Sequence, residues 1–215
     1  MAIRYQKEIP STLSKMGDIA GKKIIEYGCG SGRFTVEIFN KCEGVLAIDF
    51  SRESLYLLSK KLENCKNIGL VLADAIQIKT TPLCFDLAFS AQLLEHIPNT
   101  NQRSAFLKNI SNTLKKEGII ICSVYHYDLR SRIKKQPQEG HHSSGIFYHY
   151  FKRKEIENEF GRYFKSMKFY FIDITLPLEG RLGLGLIFSG RLSRFFESIP
   201  IINKFAHLLL VRAQK

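Results

Sequence analysis

The chain has 215 residues and a mass of 24.7 kDa, 45% hydrophobic and 24% charged, which fits one globular domain with a sizeable core. Fifteen glycines and six prolines without a period exclude a collagen-like chain, and the apolar content excludes a disordered one. The net charge of +12 is uneven: residues 1–125 carry 16 basic against 12 acidic side chains, and residues 126–215 carry 16 against 8. The basic C-terminal part suits an anionic partner, whether nucleic acid, acidic lipid or phosphorylated metabolite, or else a solvated surface.

Cys29, Cys42, Cys65, Cys84 and Cys122 are odd in number and form no CxxC pair, so neither a disulfide framework nor a zinc ribbon is expected. The N-terminal MAIRYQKEIPSTLSK lacks a signal-peptide core, and no apolar run approaches the roughly 18 residues that span a bilayer. A cytoplasmic protein is the expectation.

In chain order, a cap segment over residues 1–20 precedes an alternation of short apolar runs and helical spacings over residues 21–125. This is the βαβ pattern of a parallel sheet covered on both faces. Strands are expected at Lys23–Tyr27, Gly44–Asp49, Ile68–Ala73, Phe85–Ser90 and Gly118–Val124. Ser51 caps a helix carrying Leu55, Leu58 and Leu62 on one face. A second helix is expected over Asn101–Lys115, with Phe106, Leu107, Ile110 and Leu114 inward and Lys115 and Lys116 at its negative end. Residues 126–215 form an elaborated third of the same domain: a polar stretch from His126 to Ser144, a helix-like KRKEIENEF, a strand-like KFYFIDITL, and a glycine-punctuated stretch from Glu179 to Gly190.

The strongest local signal is EYGCGSGRFT, residues 26–35, directly after the first strand. Alternate glycines allow a tight turn and close approach to a ligand, and the helix that follows presents free N–H groups. Asp49 ends the second strand 17 residues beyond Gly32, where an acid accepts two hydrogen bonds from a ribose diol. Asp74, in LADA, ends the third, where an adenine amino group would sit. Arg33 and Phe34 stand where a nicotinamide site would place its third small residue, which disfavours a pyrophosphate cradle. A sulfonium cofactor needs none, and Glu26 supplies a carboxylate beside the loop.

In order and spacing, EYGCGSG, LAIDFS, LADA, FDLAFSAQLLEHIP and LKKEGIIICSV resemble the class I S-adenosylmethionine-dependent methyltransferases, in particular their small-molecule group. The resemblance spans about residues 20–125. It implies a Rossmann-like, seven-stranded, mostly parallel sheet with an antiparallel last strand and helices on both faces. The final hairpin would pair Met167–Leu176 with Lys204–Ala213, and residues 177–200 would be an insertion in it. It also implies S-adenosylmethionine as cofactor, S-adenosylhomocysteine as product, and a cofactor site of Glu26, Gly28, Cys29, Gly30, Gly32, Asp49, Phe50, Asp74, Ala75, Ser90, Gln92 and His96.

Methyl transfer from a sulfonium is an in-line displacement in which alignment and desolvation do much of the work. A base is needed only where the nucleophile keeps its proton. Candidates lie after the fourth strand (Gln92, Glu95, His96), after the fifth (Tyr125, His126, Tyr127, Asp128), and in GIFYHYF (Tyr148, His149). His126 is the preferred base, with Tyr125 and His149 beside it. His141, His142 and His149 lack ligand spacing, so no metal is expected. Residues 181–196, apolar with interspersed arginines, would lie on a membrane face, receive a hydrophobic substrate or pack on a second subunit.

These features point to transfer onto a small or lipid-like acceptor. Transfer onto RNA, tRNA included, is the alternative that the basic C-terminal part motivates, although SAQLLEHIP replaces an Asn-Pro-Pro-Tyr type motif. A non-catalytic cofactor-binding protein is a third, against which the intact Glu26, Asp49 and Asp74 argue.

Overall fold

The computed structural model describes residues 2–63, 65–174 and 202–215. Seven strands form one sheet, β1 (Lys23–Tyr27), β2 (Gly44–Asp49), β3 (Ile68–Leu72), β4 (Phe85–Ala91), β5 (Leu114–Tyr125), β8 (Lys165–Ile174) and β9 (Ala206–Gln214), in the order β3-β2-β1-β4-β5-β9-β8. All neighbours up to β5 pair in parallel, and β9 runs antiparallel between β5 and β8. A two-stranded hairpin, β6 (Glu139–His141) with β7 (Phe147–His149), stands apart from the sheet. The helices are α1 (Ala2–Met16), α2 (Thr35–Ile38), α3 (Arg52–Lys61), α4 (Thr100–Thr113), α5 (Leu129–Ile133) and α6 (Arg153–Phe160).

Side-chain alternation along the strands divides the core into two layers. Ile25, Ala88, Ile120 and Cys122 pack under Phe106, Leu107 and Ile110 of α4 and Phe160 of α6. Ile24, Phe89, Ile119 and Ile121 pack against Met16, Ile38, Leu55 and Leu58 on the opposite face. Ser51 caps α3, its hydroxyl accepting from the Ser54 N–H at 3.2 Å.

Two boundaries differ from expectation. The helix expected to run to Lys115 ends at Thr113, and Leu114, Lys115 and Lys116 open β5. Phe85 pairs with Leu114, and the Lys115 ammonium reaches Asp86 at 2.7 Å, so cross-strand pairing decides this stretch and the helix dipole does not. The helix after the glycine turn is a single turn, Thr35–Ile38, followed by a 3-10 turn at Phe39–Lys41. The final hairpin forms as expected in pairing, with Met167 opposite Ala213. Its insertion, residues 177–200, and the apolar stretch 181–196 lie outside the described residues. Among the described residues no helix is long and apolar enough to cross a membrane, and no three His, Cys, Asp or Glu side chains group as metal ligands.

Gly32 is where glycine is obligatory. It sits at φ +86°, and a Cβ there would lie 2.1 Å from Cδ1 of the fully buried Leu58. Gly32→Ala combines left-handed strain with overpacking and is expected to destabilise the chain by about 2–4 kcal/mol, measured by urea unfolding.

Candidate active site

In an open parallel sheet the ligand crevice lies at the carboxyl ends of the strands, where successive connections leave to opposite faces. Here that point is the β1/β4 boundary, because the chain after β1 turns to the α2 and α3 face and the chain after β4 leads to α4 on the other. One lip is the glycine turn. The N–H groups of Gly28 and Cys29 both donate to the Ile48 carbonyl, at 2.8 and 3.1 Å. Asp49 fixes the turn further: one carboxylate oxygen accepts from the Gly30 N–H at 2.7 Å and the other from the Ser51 N–H at 2.9 Å. A Cβ on Gly30 would meet nothing within 4 Å, so the turn is open on that side.

Phe50 beside Asp49 is 77% exposed, a large ring left uncovered at the mouth of the crevice. Asp74 is exposed and accepts from Ile76 N–H and Gln77 Nε2, at 2.8 and 3.0 Å; Ala75 next to it is half-buried. Glu26 is buried beneath the turn and accepts from the Thr35 hydroxyl at 2.7 Å. Desolvation pushes its carboxyl up to about 7 despite Thr35 and Arg33. Burial also pushes the Cys29 thiol well up, so it stays unionised.

The other lip follows β4. Gln92 adopts φ +54° and donates its N–H to the Ser123 carbonyl at 2.9 Å. Leu93 faces Gly28, where a Cβ would approach it to 3.2 Å. Ser90 is buried, with no hydrogen-bond partner for its hydroxyl among the described residues. From α1, Glu8 reaches between the lips: it accepts from Arg33 Nη1 and Nη2 at 2.6 and 3.3 Å and from Gln92 Nε2 at 2.7 Å.

Beyond Gln92, Glu95 is fully buried, and burial holds its carboxyl well above the usual range. His96 Nδ1 lies 2.8 Å from the carbonyl of Phe147 on β7. A carbonyl only accepts, so Nδ1 carries the proton and the neutral ring keeps its lone pair on Nε2. Burial lowers the His96 pKa, which favours that neutral ring. His96 meets Tyr125 edge-on at 5.8 Å and His142 at 6.0 Å. Tyr148 and Tyr150 complete an aromatic cluster. Tyr125, His142 and Tyr150 line a cavity of about 320 Å³ whose other walls include Asp128, Arg130 and Lys134.

His126 and His149 stand away from this cluster. Successive residues of a strand point to opposite sides, and His126 packs on Phe171 while its Nδ1 donates to the Ala206 carbonyl at 2.9 Å. It lines a second cavity, of about 520 Å³, with Tyr127, Arg132, Arg153 and Lys204. His149 packs on the buried Phe151 and lies between Glu139 and Gln138, at 3.2 and 3.3 Å. The structure therefore joins Tyr125 to His96 and parts both from the other two histidines.

A family profile described as a methyltransferase domain matches residues 25–122. Phosphoethanolamine N-methyltransferase 1 of Triticum aestivum is 30% identical over 149 residues, 66% of this chain and 29% of that protein. Demethylmenaquinone methyltransferase of Lactococcus lactis is 29% identical over 116 residues, 52% and 45% respectively. In fold, an S-adenosylmethionine-dependent methyltransferase from Mesorhizobium loti superposes with TM-score 0.67 at 18% identity, covering 96% of both chains. Residues 25–122 match a methyltransferase domain, and the chain has the fold of S-adenosylmethionine-dependent methyltransferases. It spans under half the length of the two curated relatives just named.

Several residues of this candidate site were not assigned to it from the sequence. Glu8 lies before the matched stretch, and nothing in MAIRYQKEIPSTLSK marks it. His142 and Tyr150 become neighbours of His96 only through the β6/β7 hairpin, whose three-residue strands carry too little periodicity to read.

Glu26 makes the fold sensitive to pH. Its carboxyl is raised in the folded chain, so the folded state holds the proton more tightly than the unfolded one, and stability falls as pH rises from about 4.5 to about 7. That difference amounts to about 3 kcal/mol. Glu26→Gln is expected to stabilise the ligand-free chain by about that much at pH 8 and by little at pH 4.5, measured by urea unfolding at both.

Proposed function

We propose that this chain transfers the methyl group of S-adenosylmethionine to a small-molecule acceptor bound between Tyr125, His142 and Tyr150, with His96 taking the acceptor's proton. When bound, the cofactor supplies an electrophilic methyl on a sulfonium, whose departure leaves a neutral thioether.

The residues present fit such a cofactor. Each Asp49 oxygen accepts one backbone N–H, which leaves lone pairs for a ribose diol. The uncovered Phe50 ring and the segment Asp74–Ala75 suit the two faces and the edge of an adenine. Glu26, Gly28, Cys29, Gly30 and Gly32 shape the turn beneath it, and Ser90, Gln92 and His96 form the opposite wall.

The observation that carries the acceptor side is the His96 tautomer. The Phe147 carbonyl holds the proton on Nδ1, which leaves Nε2 as the basic atom of a ring that meets Tyr125 edge-on. In this reading His126, with its Nδ1 committed to Ala206 in another cavity, has a structural part. Lys134 at the rim of the first cavity suits an acceptor with an anionic group. The relative named as a phosphoethanolamine N-methyltransferase supports such an acceptor, and the quinone-modifying relative supports a planar one. Transfer to RNA rests on net charge alone.

S-Adenosylmethionine should raise the melting temperature by mass action while NADH does not, and a missing shift at millimolar cofactor would refute the assignment. With an acceptor identified by screening phosphorylated amines and hydroxylated quinones, His96→Gln is expected to lower kcat about 100-fold. The wild-type kcat/KM should fall on the acid side with an inflection below 6.5, because only neutral His96 accepts a proton. An unchanged acid limb in His96→Gln would assign the base elsewhere.

A further inference from the structure

The carboxylate of Glu8 joins both lips of the crevice from a third element. Glu8 is fully buried, yet it belongs to α1, and its donors are Arg33 on the glycine turn and Gln92 after β4. Two guanidinium N–H groups and one amide N–H converging on two oxygens make a socket of the kind that recognises a carboxylate. Both donor residues flank the crevice assigned to the cofactor, and that cofactor ends in an α-amino acid.

Two features bear on how Glu8 is held there. Burial pushes its carboxyl up in spite of Arg33 and Gln92, so its ionised form is costly in this place. Pro10 lies inside α1, two residues on. It cannot donate the helical hydrogen bond, so the turn that carries Glu8 is weakly tied to the part anchored by the buried Met16.

We propose that Arg33 and Gln92 form the subsite for the α-carboxylate at the amino-acid end of the S-adenosyl cofactor, and that Glu8 fills this subsite in the ligand-free chain as an internal stand-in which the ligand displaces. The proposal rests on the reading that the crevice holds the cofactor. It makes Glu8 a competitor that lowers apparent affinity, since the ligand must first find the socket open.

The test compares S-adenosylhomocysteine with 5′-methylthioadenosine, the same adenosyl thioether without the amino-acid part, by isothermal titration calorimetry. Glu8→Gln leaves too few acceptors for the three donors. It is expected to bind S-adenosylhomocysteine about fivefold tighter than wild type. Arg33→Met, and Gln92→Asn which tolerates the left-handed backbone, are expected to bind it about tenfold more weakly. 5′-Methylthioadenosine should bind wild type, Glu8→Gln and Arg33→Met alike, which also shows that each is folded, while Gln92→Asn, whose residue also walls the crevice, should lose more for S-adenosylhomocysteine than for 5′-methylthioadenosine; should Arg33→Met fail to fold, the other two variants decide. Unchanged or weaker S-adenosylhomocysteine binding by Glu8→Gln would overturn the proposal, the weaker case making Glu8 a partner of the ligand's ammonium. So would a parallel change for both ligands in any variant. If wild type binds neither ligand, the cofactor reading itself fails and takes the subsite with it.

Discussion

Asp49 ties the turn after β1 to the start of α3 with a single carboxylate, and the placement of the other crevice groups follows from that tie. With the other oxygen held by Ser51, the turn cannot swing over the ends of β1 and β4 without losing the Gly30 bond. Gly32 must then pass against Leu58, Gly28 must face Leu93, and Arg33 is delivered to the crevice mouth. The left-handed glycines give the turn the freedom to take this path, and the acid selects it. A backbone otherwise open to solvent becomes a wall with its N–H groups assigned.

The charge distribution has the same two-sided character. The crevice is lined by buried acids, Glu8, Glu26, Asp49 and Glu95, with Arg33 set among them. Desolvation raises three of these carboxyls, so the crevice is poised to take a cation or else to hold protons. The basic excess lies on the acceptor side, where Arg130, Arg132, Lys134, Arg153 and Lys204 surround the two cavities. An acidic crevice beside a basic rim suits a cationic methyl donor facing an anionic acceptor, and it explains how a chain of net charge +12 can still bind a sulfonium.

Legibility from sequence followed the reach of the forces. Apart from the start of β5, the parallel strands could be placed to within a residue, because each is a short apolar run, and the antiparallel return of β9 came from resemblance and not from periodicity. The α4/β5 boundary was missed because Leu114 satisfies both patterns. Its pairing with Phe85, 29 positions away, is a contact that no local window contains. On the site, residues attached to strand ends were legible, since Asp49 and Gln92 are fixed by the strands they follow. Glu8, contributed by a helix that docks from outside the matched stretch, was not.

The acceptor side shows the limit most plainly. Tyr125 and His126 are adjacent, and as end residues of one strand they look equally placed to face a substrate. The alternation of the pleat sends Tyr125 toward His96 and His126 toward Phe171, and sequence cannot say which side is the reactive one, because that depends on where the β6/β7 hairpin lands. The hairpin builds up the Tyr125 side, where Phe147 sets the His96 tautomer through a carbonyl and His142 and Tyr150 close the ring around Tyr125. A main-chain oxygen carries no residue-type signature. The atom that fixes the His96 tautomer therefore belongs to a position that any side chain could occupy, and only the folded hairpin reveals it.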